Sequence, residues 1–453
     1  MKTYSILDFG AVADADTLCT RAIQDAIDAC FLSGGGEVTV PRGEFKCGSF
    51  RLRSNVTLHL LEDAHLKGSR DPEDYVGALT DDKTEPLPED EKTDVLWTPA
   101  ATRKNSDHLR KIGGRWHNAL ITAAYGHDIA VIGEKGSEID GSNCYDSLGE
   151  EHYRGPHAVS FFKCSNITLR GYTVRDSGNW ANILLYTNNI VIEKITVLAG
   201  HDGVHMHLCR GVRISDCDFY TGDDCIAGYA NVDVDIGNCL MNTACSGMRF
   251  GGTNVYVHNC RFIGPARFLF RGSLTDEEKR SEKTEELGAN HRYNMLSAFT
   301  YYADFSFEIP LRPGNIVLEN CEIKNTDRLI HYNFSGNEVW QKGRPLHDIA
   351  LRHVNAEGIG MPLNLYGAAE EPFSLELTDV SIGLRDSFSG NEVMRFCHYK
   401  DVSLSDVRVT GTTDCFIKRW SDNGEINTDG VSFDRAPKHT VKDAEEEFHT
   451  SAI

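Results

Sequence analysis

Gly211-Val212-Arg213-Ile214-Ser215-Asp216-Cys217-Asp218-Phe219-Tyr220-Thr221-Gly222-Asp223-Asp224-Cys225-Ile226-Ala227 is one turn of a repeat. Apolar and polar residues alternate in short runs, Val212-Arg213-Ile214, Cys217-Asp218-Phe219 and Cys225-Ile226-Ala227. Alternation with period two marks short strands. The unit recurs at Asn55-Val56-Thr57-Leu58, Asp128-Ile129-Ala130-Val131, Asn166-Ile167-Thr168-Leu169, Asn189-Ile190-Val191-Ile192, Asn231-Val232-Asp233-Val234 and Asn254-Val255-Tyr256-Val257. Weaker copies follow at Asn315-Ile316-Val317-Leu318, Asp348-Ile349-Ala350-Leu351, Asp401-Val402-Ser403-Leu404 and Gly430-Val431-Ser432-Phe433. The leading Asn, Asp or Gly suits a turn with one left-handed residue. Two or three such runs per unit, with no helical period between them, exclude leucine-rich and helical solenoids. The expectation is an all-β chain, a single parallel β-helix domain over residues 1–453.

Outward from the repeat, residues 1–50 form an N-terminal cap. Ala22, Ile23, Ala26, Ile27, Cys30 and Phe31 have helical spacing, Ser33-Gly34-Gly35-Gly36 stops the helix, and Glu37-Val38-Thr39-Val40 reads as a strand. Two segments break the period. Residues 70–115 are acidic and contain Leu96-Trp97; residues 273–312 open with Asp276-Glu277-Glu278-Lys279-Arg280 and end in Phe299-Thr300-Tyr301-Tyr302. Both read as inserted loops that wall a cleft.

The formal net charge of -21 opposes nucleic acid or an anionic membrane as partner. No apolar run reaches the roughly 20 residues that a membrane span needs. Many of the 14 cysteines, Cys217, Cys239, Cys260 and Cys321 among them, fall at one repeat position, which suggests stacked, buried, reduced thiols. With no apolar signal core in Met1-Lys2-Thr3-Tyr4-Ser5-Ile6, this leads to the expectation of a cytoplasmic protein, or of a secreted one if a leader has been removed. There is no CxxC pair, and neither a metal nor a cofactor is expected.

The chemistry gathers on neighbouring turns. Asp202, in Gly200-His201-Asp202-Gly203-Val204-His205, lies about one repeat before Asp223 and Asp224. Stacked turns bring backbones within about 4.8 Å. Crowded carboxylates push their pKa values apart, giving an acid and a base at one pH, as glycoside hydrolysis requires. The alternatives are a solvated acidic ridge and a calcium site. His201, His205 and His207 lie beside them, with His205 suited to tuning Asp202 or binding substrate. Arg249, in Ser246-Gly247-Met248-Arg249, and Arg271, in Arg267-Phe268-Leu269-Phe270-Arg271, offer guanidinium groups for a carboxylate or for hydroxyls.

These residues resemble glycoside hydrolase family 28, the polygalacturonases and their relatives among the pectate-lyase-like β-helices. The similarity runs from residue 5 to about 270. Asp8-Phe9-Gly10-Ala11 resembles the superfamily's N-terminal signature, Ile139-Asp140-Gly141 the family's IDG turn and Arg154-Gly155-Pro156 its RP-type segment. Ser177-Gly178-Asn179-Trp180 resembles the approach to the active-site turns, His201-Asp202-Gly203 stands where the family has Asn-Thr-Asp-Gly, and Gly222-Asp223-Asp224-Cys225 matches its paired-Asp motif. The resemblance implies a right-handed helix, with Asp223 as general acid, Asp202 and Asp224 activating water, and inversion at the anomeric carbon. His201, His205, Trp180, Arg249 and Arg271 are the expected substrate-binding residues. Cys245-Ser246-Gly247 replaces the family's Gly-His-Gly, and its Arg-Ile-Lys has no clean match, Arg271 being nearest.

The expected function is therefore an exo-acting, inverting glycosidase on plant-cell-wall oligosaccharides, pectic ones with galacturonate first. A glycosidase for a neutral sugar, a polysaccharide lyase or epimerase, and a noncatalytic carbohydrate-binding β-helix stay open as alternatives. Stacking about 5 Å apart favours retention, whereas inversion calls for roughly 6.5–9.5 Å between the carboxyls.

Overall fold

A computed structural model describes residues 2–77, 114–281, 291–303, 312–334, 344–421, 424–446 and 448. The chain is a right-handed parallel β-helix, and it groups into two compact units. One is Met1–Asp223 with Arg267–Arg292, the other Asp224–Ala266 with Tyr293–Ile453.

The first unit stacks three parallel ladders. Gly36–Val40, Val56–Leu60, His127–Gly133, Ser165–Arg170, Asn188–Glu193 and Arg210–Ser215 pair in that order. Gly43–Cys47, Ala64–Gly68, Glu138–Asp140, Thr173–Arg175, Thr196–Ala199 and Asp218–Thr221 form the second. Asn118–Ala124, His157–Phe162, Asn182–Leu185 and Val204–His207 form the third. Register places like over like: Ile129, Ile167, Ile190 and Val212 stack in one buried column. A one-residue slip would turn every such column outward, so the buried face pins the register.

A left-handed residue at the start of these strands explains the leading residue. Asp128, Asn166 and Asn189 have φ of 55°, 55° and 53°. Asn166 Nδ2 donates to Asp128 Oδ1 at 3.1 Å, and Asn189 Nδ2 to Asn166 Oδ1 at 3.1 Å. The short amide side chain tolerates the left-handed turn and bonds its copy one turn away. The second unit repeats the device, from Asn254 to Asp233 at 2.8 Å and from Asn315 to Asn254 at 3.0 Å. The ladder residue there is Asp233, not Asn231, so the unit that the sequence starts at Asn231 starts two residues late. Asn231 itself stands opposite Gly252, just past a register shift between Gly228 and Asn231 inside the long strand Ile226–Gly237.

The N-terminal helix is Thr20–Leu32, and its buried residues are Ile23, Ala26, Ile27 and Cys30. Gly35 ends it at φ 95°, where a Cβ would meet Asn55 O at 2.4 Å. In the second unit Ile226–Gly237 pairs with Ser246–His258, which pairs with both Met295–Tyr301 and Gly314–Glu319. One face continues through Thr326–Asn333, Leu363–Tyr366, Glu392–Cys397 and Cys415–Arg419. The aromatic end of the expected 273–312 loop is thus a strand, because Phe299 and Tyr301 point into the core. Residues 78–113 of the other expected insertion, Leu96-Trp97 included, lie outside the described residues; its edge Val76–Gly77 pairs antiparallel with Asn118 and Ala119.

All 14 cysteines are buried and free of disulfides. Cys217, Cys239, Cys260 and Cys321 each aim Sγ at the carbonyl two residues back, at 3.2 to 3.3 Å. Among the described residues no helix is long and apolar enough to cross a membrane.

Candidate active site

Asp202 and Asp223 sit in successive turns of the first unit. Asp202 precedes the strand Val204–His207, and Asp223 follows Asp218–Thr221. Counting on from the Ala199↔Thr221 pair, Asp223 takes the position of His201, not that of Asp202. The two carboxylates are therefore diagonal neighbours, with ligand-forming oxygens within 4.8 Å of each other. Gly222 makes the turn possible: a Cβ there would lie 1.7 Å from Leu269 O and 2.6 Å from Gly200 O.

Each acid has a specific partner. Asp202 is buried, and its Oδ2 lies 2.5 Å from His205 Nδ1. Asp223 is partly open, and its Oδ2 lies 3.7 Å from Arg154 Nη2. Trp180 stacks flat on His205, with centroids 3.6 Å apart at 9°, and His207 stacks on His205 at 4.4 Å. The aromatic sandwich fixes the imidazole plane, and through it the Asp202 carboxylate.

Arg154 is the residue that sequence reasoning missed. It was legible only as part of Arg154-Gly155-Pro156, whereas its partners Asn179, His201 and Asp223 come from later turns. Nη1 donates to Asn179 Oδ1 at 3.2 Å and to His201 Nδ1 at 3.1 Å, and Nε donates to Glu151 Oε2 at 3.0 Å. Burial disfavours the Arg154 charge, but Tyr153, Asp223, Glu150 and Glu151 outweigh it and hold the guanidinium ionised. Since an arginine can only donate, His201 Nδ1 is the acceptor and Nε2 carries the proton. Burial first, then Arg154, pulls the His201 pKa far below its usual range, so this ring is neutral. Lys279 Nζ lies 4.4 Å over the Tyr153 ring, and Tyr153 stacks on His201.

Arg271 has a different place from the one expected. It is 0% exposed, and it donates to Gly178 O at 2.9 Å, Asn143 O at 3.1 Å and Lys279 O at 2.6 Å. Burial pushes its pKa down to about 10. A guanidinium spent on three carbonyls braces the wall of the turn and is not a clamp for a substrate carboxylate. In the second unit, Asp224 Oδ1 accepts from Ser246 N at 2.9 Å, the residue standing where a family histidine would be. Arg249 in the same unit lies 4.7 Å over the Tyr302 ring.

A family model for glycosyl hydrolases family 28 matches residues 98–255. A probable polygalacturonase of Vitis vinifera is 30% identical over 235 residues, 49% of this chain and 43% of the relative. An exo-poly-alpha-D-galacturonosidase of Dickeya chrysanthemi is 29% identical over 260 residues, 52% of this chain and 43% of the relative. The chain thus spans less than half the length of these curated relatives. An exopolygalacturonase structure from Thermotoga maritima aligns with a TM-score of 0.59 at 18% identity, over 92% of this chain and 91% of that one. At that identity the likeness is one of fold.

Proposed function

We propose that this chain, polygalacturonase-like and of glycosyl hydrolases family 28 through residues 98–255, hydrolyses galacturonate-containing pectic oligosaccharides. The observation that carries the reading is the Asp202–Asp223 pair, within 4.8 Å and with each acid tied to a different partner. Asp223, on the open side, protonates the departing glycosidic oxygen. Asp202, oriented by His205, takes the proton of the attacking water, and the paired-Asp motif gives Asp224 a share in that step. Arg154 and Lys279, close to Asp223 and Tyr153, are the cations suited to the sugar carboxylate. Exo action is the finer part of the proposal, supported by the names of the Dickeya relative and the Thermotoga structure. Inversion is also proposed, from the family resemblance; the short oxygen separation favours retention.

The test is proton NMR of the first-formed anomer during turnover of oligogalacturonate. Release of galacturonate with inverted configuration supports the proposal, retained configuration overturns the mechanism, and an unsaturated product moves the chain to the lyases. A second reading, a glycosidase for a neutral sugar, draws on Arg271, whose guanidinium is committed to backbone carbonyls. Faster release of a neutral sugar from pectic side-chain fragments would select it.

A further inference from the structure

Three carboxylates of the first unit, those of Asp223, Glu150 and Glu151, stand around the Arg154 guanidinium, and they are held to different degrees. Asp223 faces Nη2 from 3.7 Å and is largely covered. Glu150 lies 3.9 Å from Nε and also accepts from Asn179 Nδ2 at 3.2 Å, deep enough that burial raises its pKa. Glu151 accepts from Nε at 3.0 Å while 51% of its side chain stays in solvent. Nε and Nη2 share one edge of the planar guanidinium, an edge that can grip a carboxylate with two parallel bonds. Here only one of those bonds is made, because the Asp223 oxygen opposite Nη2 lies beyond hydrogen-bond length. Nη1 is committed inward, to Asn179 Oδ1 and His201 Nδ1.

The short helical turn Glu150–His152 presents this carboxylate under strain. Glu151 has φ 53° and ψ 17°, and His152 follows at φ 64°. Glutamate lacks the short polar side chain that eases the left-handed region, and such a conformation persists only where the surroundings hold it. The bond to Arg154 is one such hold; His152 N to Gly149 O at 3.1 Å and Arg154 N to Glu150 O at 3.0 Å are others. An incoming carboxylate can replace Glu151 charge for charge and make two bonds where Glu151 makes one. A hydroxyl offers a neutral bond in place of a charge-assisted one, and so does not displace it.

We propose that Glu151 is an internal placeholder: its carboxylate holds the Nε–Nη2 edge of Arg154 in the empty protein and gives that edge up to the carboxylate of the substrate. The contact is autoinhibitory, since part of the binding energy of an acidic sugar goes into displacing Glu151. The exchange rests on the role proposed above for Arg154 in binding the sugar carboxylate. It adds what that role alone does not contain, a competitor carried by the chain itself. A sugar without an acid group leaves Glu151 where it is.

The experiment is calorimetric titration of the full-length parent, Glu151→Gln and Glu151→Gly with D-galacturonate and D-galactose, each protein checked for fold by circular dichroism and thermal melting. A monosaccharide has no glycosidic bond to lose, so binding is read without turnover. Glutamine keeps the size of the side chain and removes its charge. Glycine removes the side chain and suits a φ of 53°, which keeps the test open if the glutamine variant does not fold. In both variants galacturonate is expected to bind about fivefold more tightly than in the parent, the order of a partly exposed ion pair. Galactose is expected to bind all three alike. Unchanged or weaker galacturonate binding in a folded variant overturns the placeholder, as does its failure to bind any of the three. Equal tightening of galactose also overturns it, because Glu151 would then block the cleft by bulk and not by charge. Oligogalacturonate turnover by the parent is scored separately. Turnover with unchanged affinity sinks the placeholder alone, and tightened binding without turnover sinks the proposed hydrolysis alone.

Discussion

The acids of the first unit and the His331 face of the second are held differently. In the first, the acids of the turn are held by other side chains: Asp202 by His205, Asp223 by Arg154, with Arg154 itself bridging Asn179, Glu151 and His201. In the second, His331, Asn333 and Asn364 are buried with open atoms. Groups that must react at a set distance and angle benefit from being fixed before substrate arrives. Groups left without partners are a cost to the folded protein. One kind of coil thus carries two fixed acids in one unit and a run of open buried atoms on one face of the other.

Substitutions can break this contrast, and the largest effect is expected deepest in the first unit. Arg271→Met strands the Gly178, Asn143 and Lys279 carbonyls and should lower stability by about 3–5 kcal/mol in urea titration; a loss below about 1 kcal/mol would mean that those carbonyls find other donors. Asp223→Asn should lower kcat at least ~100-fold with an unchanged melting temperature, the usual effect of removing a general acid. Near-parental turnover in the folded variant would remove Asp223 from the mechanism. In the second unit Asn364→Leu should leave stability within about 1 kcal/mol of the parent or raise it, because it deletes an unsatisfied amide and no bond. A large loss would show that the face is already complete.

The smallest expected effect concerns Asp140, in the turn at the end of Glu138–Asp140. Burial raises its pKa from the ordinary 3.8 to about 6, against the hydrogen bond from Ser142 N. A carboxyl with a raised folded pKa contributes stability that is full below about pH 3.8 and is lost as pH rises through about 6. Asp140→Asn keeps an acceptor for Ser142 N and removes the titration. Melting temperatures between pH 4 and 7 should decline less in the variant than in the parent; parallel curves would mean that Asp140 titrates normally.

The fold was legible because its determinants are local. Alternation in three-residue runs and an Asn, Asp or Gly at each turn are enough to write the coil, and Asp128, Asn166 and Asn189 do at the turn what their chemistry suggests. The frame slipped at Asn231, two residues ahead of the ladder residue Asp233, and at Gly430, since Glu425 stands opposite Asp401 and Val431 opposite Val407. The pairing of Asp202 with Asp223 was readable from repeat length, but the diagonal offset was not, since one residue of turn decides it. Arg154 escaped because side chains converge across turns, which no local pattern records. Arg271 misled for a related reason: it reads as the nearest match to the family's Arg-Ile-Lys, and only the carbonyls of Gly178 and Asn143, far back in the chain, reveal where its guanidinium goes. The face around His331 has no fixed period to give it away, because segments of unequal length separate its strands.

The column of thiols has a consequence for handling the protein. With 14 buried cysteines and no cross-link, the native chain is shielded from oxidation only while it stays folded. An opening that reaches Cys239, Cys260 and Cys321 would release several thiols at once, and oxidation could join them out of register before the coil closes. Damage would then be governed by how often the helix opens, not by how much oxidant is present. A reductant should raise the yield of refolding while leaving the melting temperature of freshly prepared protein where it was.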